Sequence, residues 1–507
     1  MKTFISKKKS IILGLLVAFC GSCTDLDEEL YGRVTPESFY QTDVEVLSAM
    51  AGVYSAMSFA GNGGNGWRVI HLGTDEFLIP SRSDGRWGDG GVWLELANHT
   101  WTPQNNRILS AWREVFTVIG RANAVLENLG NTPREGLEDE KAEMRAVRAY
   151  AYFYAMDLFG NVPLVTQSRI DPKNLPKTNS RAEVFDFVVS ELNAAIPNLP
   201  SVGTGNNRNN YYGRITKEAA YSILAITYLN GQVYTGKSSW QESIAASDMV
   251  INSGGYSLPL NFLDNFVANN HTSPEFIYAI TVDPGRNGGA NNFVLRGTHD
   301  SHRFKYNLPF TPQNGFTVLE MAYDRYEDQD VRKSLFLLGP QTDANGRPLP
   351  RNTGAGQLVL VPHQNITNSA ENEGYRLVKW QPDPSWVGQS GNNDVALIRF
   401  AEILLTKAEA LLRSGGSAAE ALRLVNRVRT RSNATPLATV TLTDIYDERA
   451  RELIWEGSRR RDMIRFGTFL TWDWRFRTTD SPKFRELFPV PIIELNANPN
   501  LTQNPGY

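Results

Sequence analysis

Cysteine is almost missing from this chain: 507 residues contain two, Cys20 and Cys23, and both lie at the end of an apparent leader. That excludes a disulfide framework, a cysteine-ligated zinc site and a thiol nucleophile in the body of the protein. A bridge between the two would close a very small loop and would be lost with the leader. Histidine is scarce as well. Of His71, His99, His271, His299, His302 and His363, only His299 and His302 are close in sequence, and they lack the HExxH spacing of a zinc hydrolase. No GxSxG nucleophile motif occurs. After Ile11–Phe19 there is no uninterrupted apolar run of the roughly 20 residues needed to cross a bilayer. A basic surplus is absent too. Without the leader lysines Lys2, Lys7, Lys8 and Lys9, 47 basic residues face 54 acidic ones, a net charge of −7. Nucleic acid is therefore disfavoured as a partner, and so is polybasic attachment to an anionic membrane. No residue set specifies a catalytic centre, a metal or a cofactor.

What is present begins with an address. Four lysines, a short apolar run and the small residues Gly21 and Ser22 lead to Cys23, which would become the first residue after cleavage at 22. The pattern is similar to a bacterial lipobox, in which that cysteine is acylated; Cys20, preceded by bulky Phe19, fits less well. The acidic stretch Asp25-Leu26-Asp27-Glu28-Glu29 behind Cys23 resembles the surface-export signal of Bacteroidetes lipoproteins. Several lipid chains on one cysteine anchor firmly where a single chain does not. The expected location is the outer membrane, lipid-anchored at Cys23 and facing the cell exterior.

Helical punctuation dominates the rest. In 141–158, Ala142, Ala146, Ala149 and Ala151 alternate with aromatic rings before Gly160 and Pro163, which predicts a buried helix that neighbours can approach closely. Over 216–231, Thr216 is placed as an N-cap and Gly231 as a stop. Residues 394–433 read as a helical hairpin: one helix to about Arg413, a turn at Gly415 and Gly416, a cap at Ser417, and a second helix to about Arg431. Its length resembles a tetratricopeptide unit, which buries its apolar face only by stacking on others. Two blocks break this texture. Residues 61–103 and 257–393 are rich in Gly, Asn and Pro, with short strand-like pieces such as 275–282 and 356–361. The organisation predicted is a leader over 1–22, a helical region over 23–256 carrying the early loop 61–103, and a region over 257–507 carrying the block 257–393 and the hairpin 394–433.

Seven segments in order now resemble one family, the SusD/RagB surface lipoproteins: 35–54, 148–166, 213–229, 240–258, 398–412, 448–467 and 487–507. The resemblance implies a mainly α fold, a tetratricopeptide-like helical scaffold with a loop-rich side bearing a few short strands. It also implies a non-catalytic nutrient binder that partners a SusC-like TonB-dependent transporter. Glycans are the expected ligand. Peptides, as for RagB-like members, are the alternative within the family, and a lipid-anchored helical glycosidase is the rival from another class.

Sugar rings offer an apolar C–H face and a rim of hydroxyls, so their binders need flat aromatics surrounded by carboxylates, amides and guanidinium groups. Residues 75–101 supply Asp75, Arg82, Asp84, Trp87, Trp93 and Asn98 among glycines; Gly85, Gly88, Gly90 and Gly91 let the chain turn and expose Trp87. For Trp93 and Trp101, filling the core under the loop is the competing reading. In the later block Arg296, Tyr306, Arg376, Trp380 and Trp386 are the candidates, with the Pro-stiffened 380–386 stretch as a second wall. A different cluster, Glu448, Glu452 and Glu456 amid Arg449, Arg451, Arg459, Arg460, Arg461 and Arg465, reads as a structural ion-pair network rather than an acid/base site. Paired-carboxylate hydrolysis would draw on Asp75, Glu76, Asp84 and Asp89, whose spacing specifies no pair.

Overall fold

A computed structural model of the chain describes residues 40–202, 207–283, 291–382, 386, 388–477 and 479–507. Cys23 and the leader lie outside the described residues. The fold is mainly helical. Its principal helices are α1 (Asp43–Ala56), α2 (Asn65–His71), α3 (Asn106–Asn131), α4 (Glu138–Phe159), α5 (Arg181–Ala195), α6 (Lys217–Leu229), α7 (Trp240–Ile251), α8 (Phe400–Arg413), α9 (Ala418–Arg431), α10 (Leu442–Glu452) and α11 (Arg459–Arg465). Helices neighbouring in sequence pack in pairs, α3 with α4, α4 with α5, α6 with α7 and α8 with α9, and α7 against α8 links the early pairs to the late hairpin. This is the stacked, tetratricopeptide-like arrangement expected from the hairpin pattern.

Helix α4 lies at the centre because its sequence permits burial all round. From Ala142 onward almost every position is enclosed, the alanines making room for Tyr150, Tyr152, Phe153 and Tyr154. Each fully enclosed ring contributes about 2–3 kcal/mol of burial. The helix ends at Gly160, whose φ of 70° suits glycine, and a Cβ there would come within 2.6 Å of Leu487.

Several boundaries differ from the sequence reading. Thr216 does cap α6, accepting from the Ala219 N–H at 3.2 Å, but Asn230 closes that helix and Gly231 opens the next short one, Gly231–Thr235. The first residues of the 394–433 hairpin form a strand, Val395–Arg399 (β2), antiparallel to Phe276–Ile280 (β1). Ser417 caps α9 as expected, accepting from the Glu420 N–H at 3.1 Å. Residues 43–71 are apolar enough by composition to qualify as a membrane span. The chain there breaks at Gly61–Gly64, however, and α1 buries Val46, Met50 and Val53 in the protein core.

The charged stretch near residue 450 is a buried braid. Arg332 reaches Glu448 at 2.8 Å and Glu452 at 2.7 Å, Arg399 reaches Glu275 at 2.6 Å and Glu456 at 2.6 Å, and Arg429 reaches Glu448 at 2.8 Å. Glu456 lies beyond the end of α10, yet it still joins the network through Arg399 and Lys379. Every one of these carboxylates is paired, so the network fixes strand, helix and loop against one another.

Candidate functional site

The two loop-rich blocks are knitted into one face through residues more than 200 positions apart in sequence. Leu78 and Thr317 exchange backbone hydrogen bonds at 3.0 and 2.9 Å, and Ser81 and Ser83 bond to Ile366 and Ser369 at 2.9 Å. Trp87 stands at this seam. Its backbone has φ of 60°, a conformation that costs a bulky residue about 1–3 kcal/mol and persists only where the surroundings enforce it. The enforcement is visible. The indole Nε1 donates to the Gln313 carbonyl at 2.8 Å, and the ring lies on the backbone of Gly315, where a Cβ would come within 2.2 Å of it. Trp87 remains half-buried.

Beside it Arg86 forms a fork to Asp300, with contacts of 2.9 and 3.1 Å, and its Nε donates to Asp84 at 2.7 Å. Such bidentate pairing fixes the guanidinium plane next to the indole. The segment 310–315 also meets the second wall. Phe310 packs against Trp386 with ring centroids 4.9 Å apart, and the Trp386 Nε1 has no partner among the described residues. Trp87 and Trp386, nominated from different blocks, thus rest on one short segment.

Other sequence candidates lie elsewhere than expected. Asp75, Arg82, Trp93, Arg376 and Trp380 are enclosed and do not form a ligand surface. Asp75 is held by Arg459 at 2.7 and 2.6 Å and by Arg325. Burial alone would raise its carboxyl, but these two guanidinium groups outweigh burial and keep it below the usual carboxylate range. Arg82 donates to the carbonyls of Asn314 and Ala370 at 2.8 Å and of Glu373 at 3.0 Å. Arg376 donates to Asn314 Oδ1 at 2.6 Å. These two arginines clamp Asn314 from behind, and Asn314 precedes the glycine on which Trp87 lies. Trp380 stacks on Phe293 at 3.9 Å, and Trp93 is sealed, its Nε1 donating to Asp89 at 2.5 Å. Trp101 also belongs to the core.

The remaining candidates keep some exposure. Asp84, Arg296 and Tyr306 lie in the loop-rich blocks, with Arg296 donating to the Gly63 carbonyl. Asn98 borders a separate cleft of about 420 Å³ with His99, Phe476 and Arg477. Sequence reasoning missed Asp300, Phe310 and Gln313; the Asn314-Gly315 dipeptide, a turn signal, was the available pointer to that segment. No group of three or more His, Cys, Asp or Glu side chains is arranged to hold a metal among the described residues.

Residues 222–507 match the SusD family, and residues 65–229 match a family described as starch-binding and associating with the outer membrane. The chain belongs to the SusD family. Its members are binding proteins without catalytic function, and the glycosidase reading of Asp75, Glu76, Asp84 and Asp89 falls accordingly. The chain is 28% identical to the starch-binding protein SusD of Bacteroides thetaiotaomicron, with 100% of both chains covered, and 26% identical to the SusD-like protein P25 of Formosa agariphila, over 98% of this chain and 99% of that one. Among solved structures, a laminarin-binding SusD-like protein superposes with a TM-score of 0.75 at 25% identity, covering 92% of this SusD-family chain and 100% of the other. The surface glycan-binding protein A of Bacteroides thetaiotaomicron, in complex with laminarihexaose, gives 0.74 at 20% identity over 91% and 99%, a likeness of fold.

Proposed function

We propose that this SusD-family chain captures glycans at the cell surface on the face built around Trp87, held to the outer membrane through a lipid on Cys23. The captured oligosaccharide passes to a SusC-like TonB-dependent transporter. The observation that carries the reading is Trp87 itself: a tryptophan kept at positive φ, tied by Gln313 and Gly315, and left half-exposed between a fixed guanidinium and the Phe310–Trp386 pair. Strain of this kind clusters at ligand clamps and other functional sites, where the surrounding structure enforces it. A flat indole next to Arg86, Asp84 and Asp300 offers both faces of sugar recognition, C–H stacking and hydroxyl hydrogen bonding. The leader pattern ending at Cys23 and the names of the relatives support the location and the ligand class.

The test is calorimetry of the purified, leader-free protein against a panel of oligosaccharides. Trp87→Ala is expected to weaken binding by about 2 kcal/mol or more, as for an anchoring aromatic, with little change in melting temperature. A thermal collapse, with all binding lost in proportion, would make Trp87 a packing residue and remove the site.

A further inference from the structure

Next to Trp87 lies a concentration of positive charge that the protein neutralises only in part. Arg68, on α2, is 8% exposed and donates from Nε to the Gly63 carbonyl at 3.0 Å. Arg296 donates to that same carbonyl. Among the described residues the two terminal nitrogens of Arg68 have no acceptor, and neither Arg68 nor Arg296 has a carboxylate within 4 Å. Arg107 adds a third guanidinium, and its Nε is buried without a partner. Its nearest carboxylate is Asp89 at 3.7 Å, half turned to solvent and already accepting from Trp93. Glu114, the other acid nearby, is occupied by the Gly66 N–H at 2.8 Å.

Aromatic rings frame the group. The Arg68 guanidinium carbon lies 5.5 Å from the Trp87 ring, 4.9 Å from Trp93 and 5.3 Å from Phe316, and Arg107 lies 4.5 Å from Trp93. Ring faces attract cations, but they accept none of the in-plane N–H bonds that a guanidinium offers. Burial, with repulsion from Arg296 and Arg107 that Asp89 and Glu114 only partly offset, pushes the Arg68 guanidinium down to about 9. The contrast with the braid around Glu448 and Glu452, where each buried arginine has its carboxylate, is direct.

We infer that this arginine cluster takes an oxyanion carried by the sugar, the carboxylate of a uronic acid or a sulfate ester, so that the ligand is an acidic glycan. The inference rests on the Trp87 reading: the ring stacked on the indole would turn its charged substituent toward Arg68, Arg107 and Arg296. A planar fork matches both anions, and a buried unpaired cation gains most from a counter-charge supplied by the ligand.

Affinity electrophoresis of the full leader-free protein would test this with two pairs of polymers: polygalacturonate and its carboxyl-reduced form, and a sulfated galactan and its desulfated form. At least one charged polymer is expected to retard the protein about tenfold more strongly than its neutral counterpart, and to lose that advantage as salt rises. Whichever pair responds identifies the carboxylate or the sulfate. Arg107→Gln should abolish the charged preference while leaving neutral binding within about twofold, and Arg107→Lys should restore part of it; Arg296→Gln should lower the charged preference as well. The wild-type comparison needs no variant to fold. Equal retardation by charged and neutral forms overturns the inference and leaves glycan binding standing. Retardation by neither, together with no binding in the oligosaccharide panel, overturns glycan binding and this inference with it.

Discussion

Gly315 and Glu76 show how single residues set this protein's behaviour. Gly315 lies so close beneath the Trp87 indole that any side chain must displace the ring. Gly315→Ala is therefore expected to reduce glycan affinity nearly as much as loss of Trp87, with the fold intact by circular dichroism; unchanged affinity would mean that the indole need not lie there. Glu76 is a buried carboxyl with Oε1 accepting from the Trp455 N–H at 3.2 Å and Oε2 unpartnered. Burial, with the Asp75 charge beside it, pushes it from its ordinary 4.5 up to about 8. The native state thus keeps a proton that the unfolded chain releases, so stability falls as pH rises from about 4.5 to about 8 and then levels. Glu76→Gln should raise the melting temperature at pH 8 by about 2 °C or more over its effect at pH 5, measured by calorimetry. An equal effect at both pH values would show the carboxyl to be ionised throughout. Neither role was legible in the sequence. The sequence nominated Trp87 through its flanking glycines, but the fates of Asp75, Arg82 and Arg376 depended on partners such as Arg459 and Asn314, which no local pattern reveals.

Elements were far more legible, because their signals are local. The α8–α9 hairpin follows from the Gly415-Gly416 turn and the Ser417 cap. Removing that cap with Ser417→Ala should cost about 1 kcal/mol, read as a lower denaturant midpoint with unchanged slope. An unmoved midpoint would mean that water satisfies the Glu420 N–H equally well. The misread boundaries have physical causes. Residues 395–404 are enclosed at every position, so no alternation distinguishes β2 from the helix that follows it. Gly231 begins a helical turn because Asn230, whose Nδ2 donates to the Ile226 carbonyl at 2.8 Å, has already closed α6. The seam between the blocks, Leu78 on Thr317 and Ser81 on Ile366, joins short segments of irregular backbone whose pairing only the assembled fold specifies.

At the scale of the whole molecule, the helical scaffold and the braid around Glu448, Glu452 and Glu456 form a fixed frame, and the proposed ligand face is laid over it by the two irregular blocks. The family segments fall mainly on that frame, which is why the resemblance identified the fold while leaving individual contact residues open. The frame is also closed by residues far along the chain. Trp101 Nε1 donates to the Tyr507 hydroxyl at 2.6 Å, that hydroxyl donates to the Leu487 carbonyl at 2.6 Å, and Asn504 Nδ2 donates to the carbonyls of Phe159 and Phe488 at 2.7 and 2.8 Å. Trp101 with Tyr507 and Asn504 with Phe159, like Asp75 with Arg459, bring together residues 345 to 406 positions apart. They set a timetable. Early helices can form as the chain emerges, but the indole of Trp101 and the end of α4 stay uncapped until the 484–507 segment is present. A chain cut before residue 484 is therefore expected to leave the Trp101 indole and the Phe159 carbonyl without these partners.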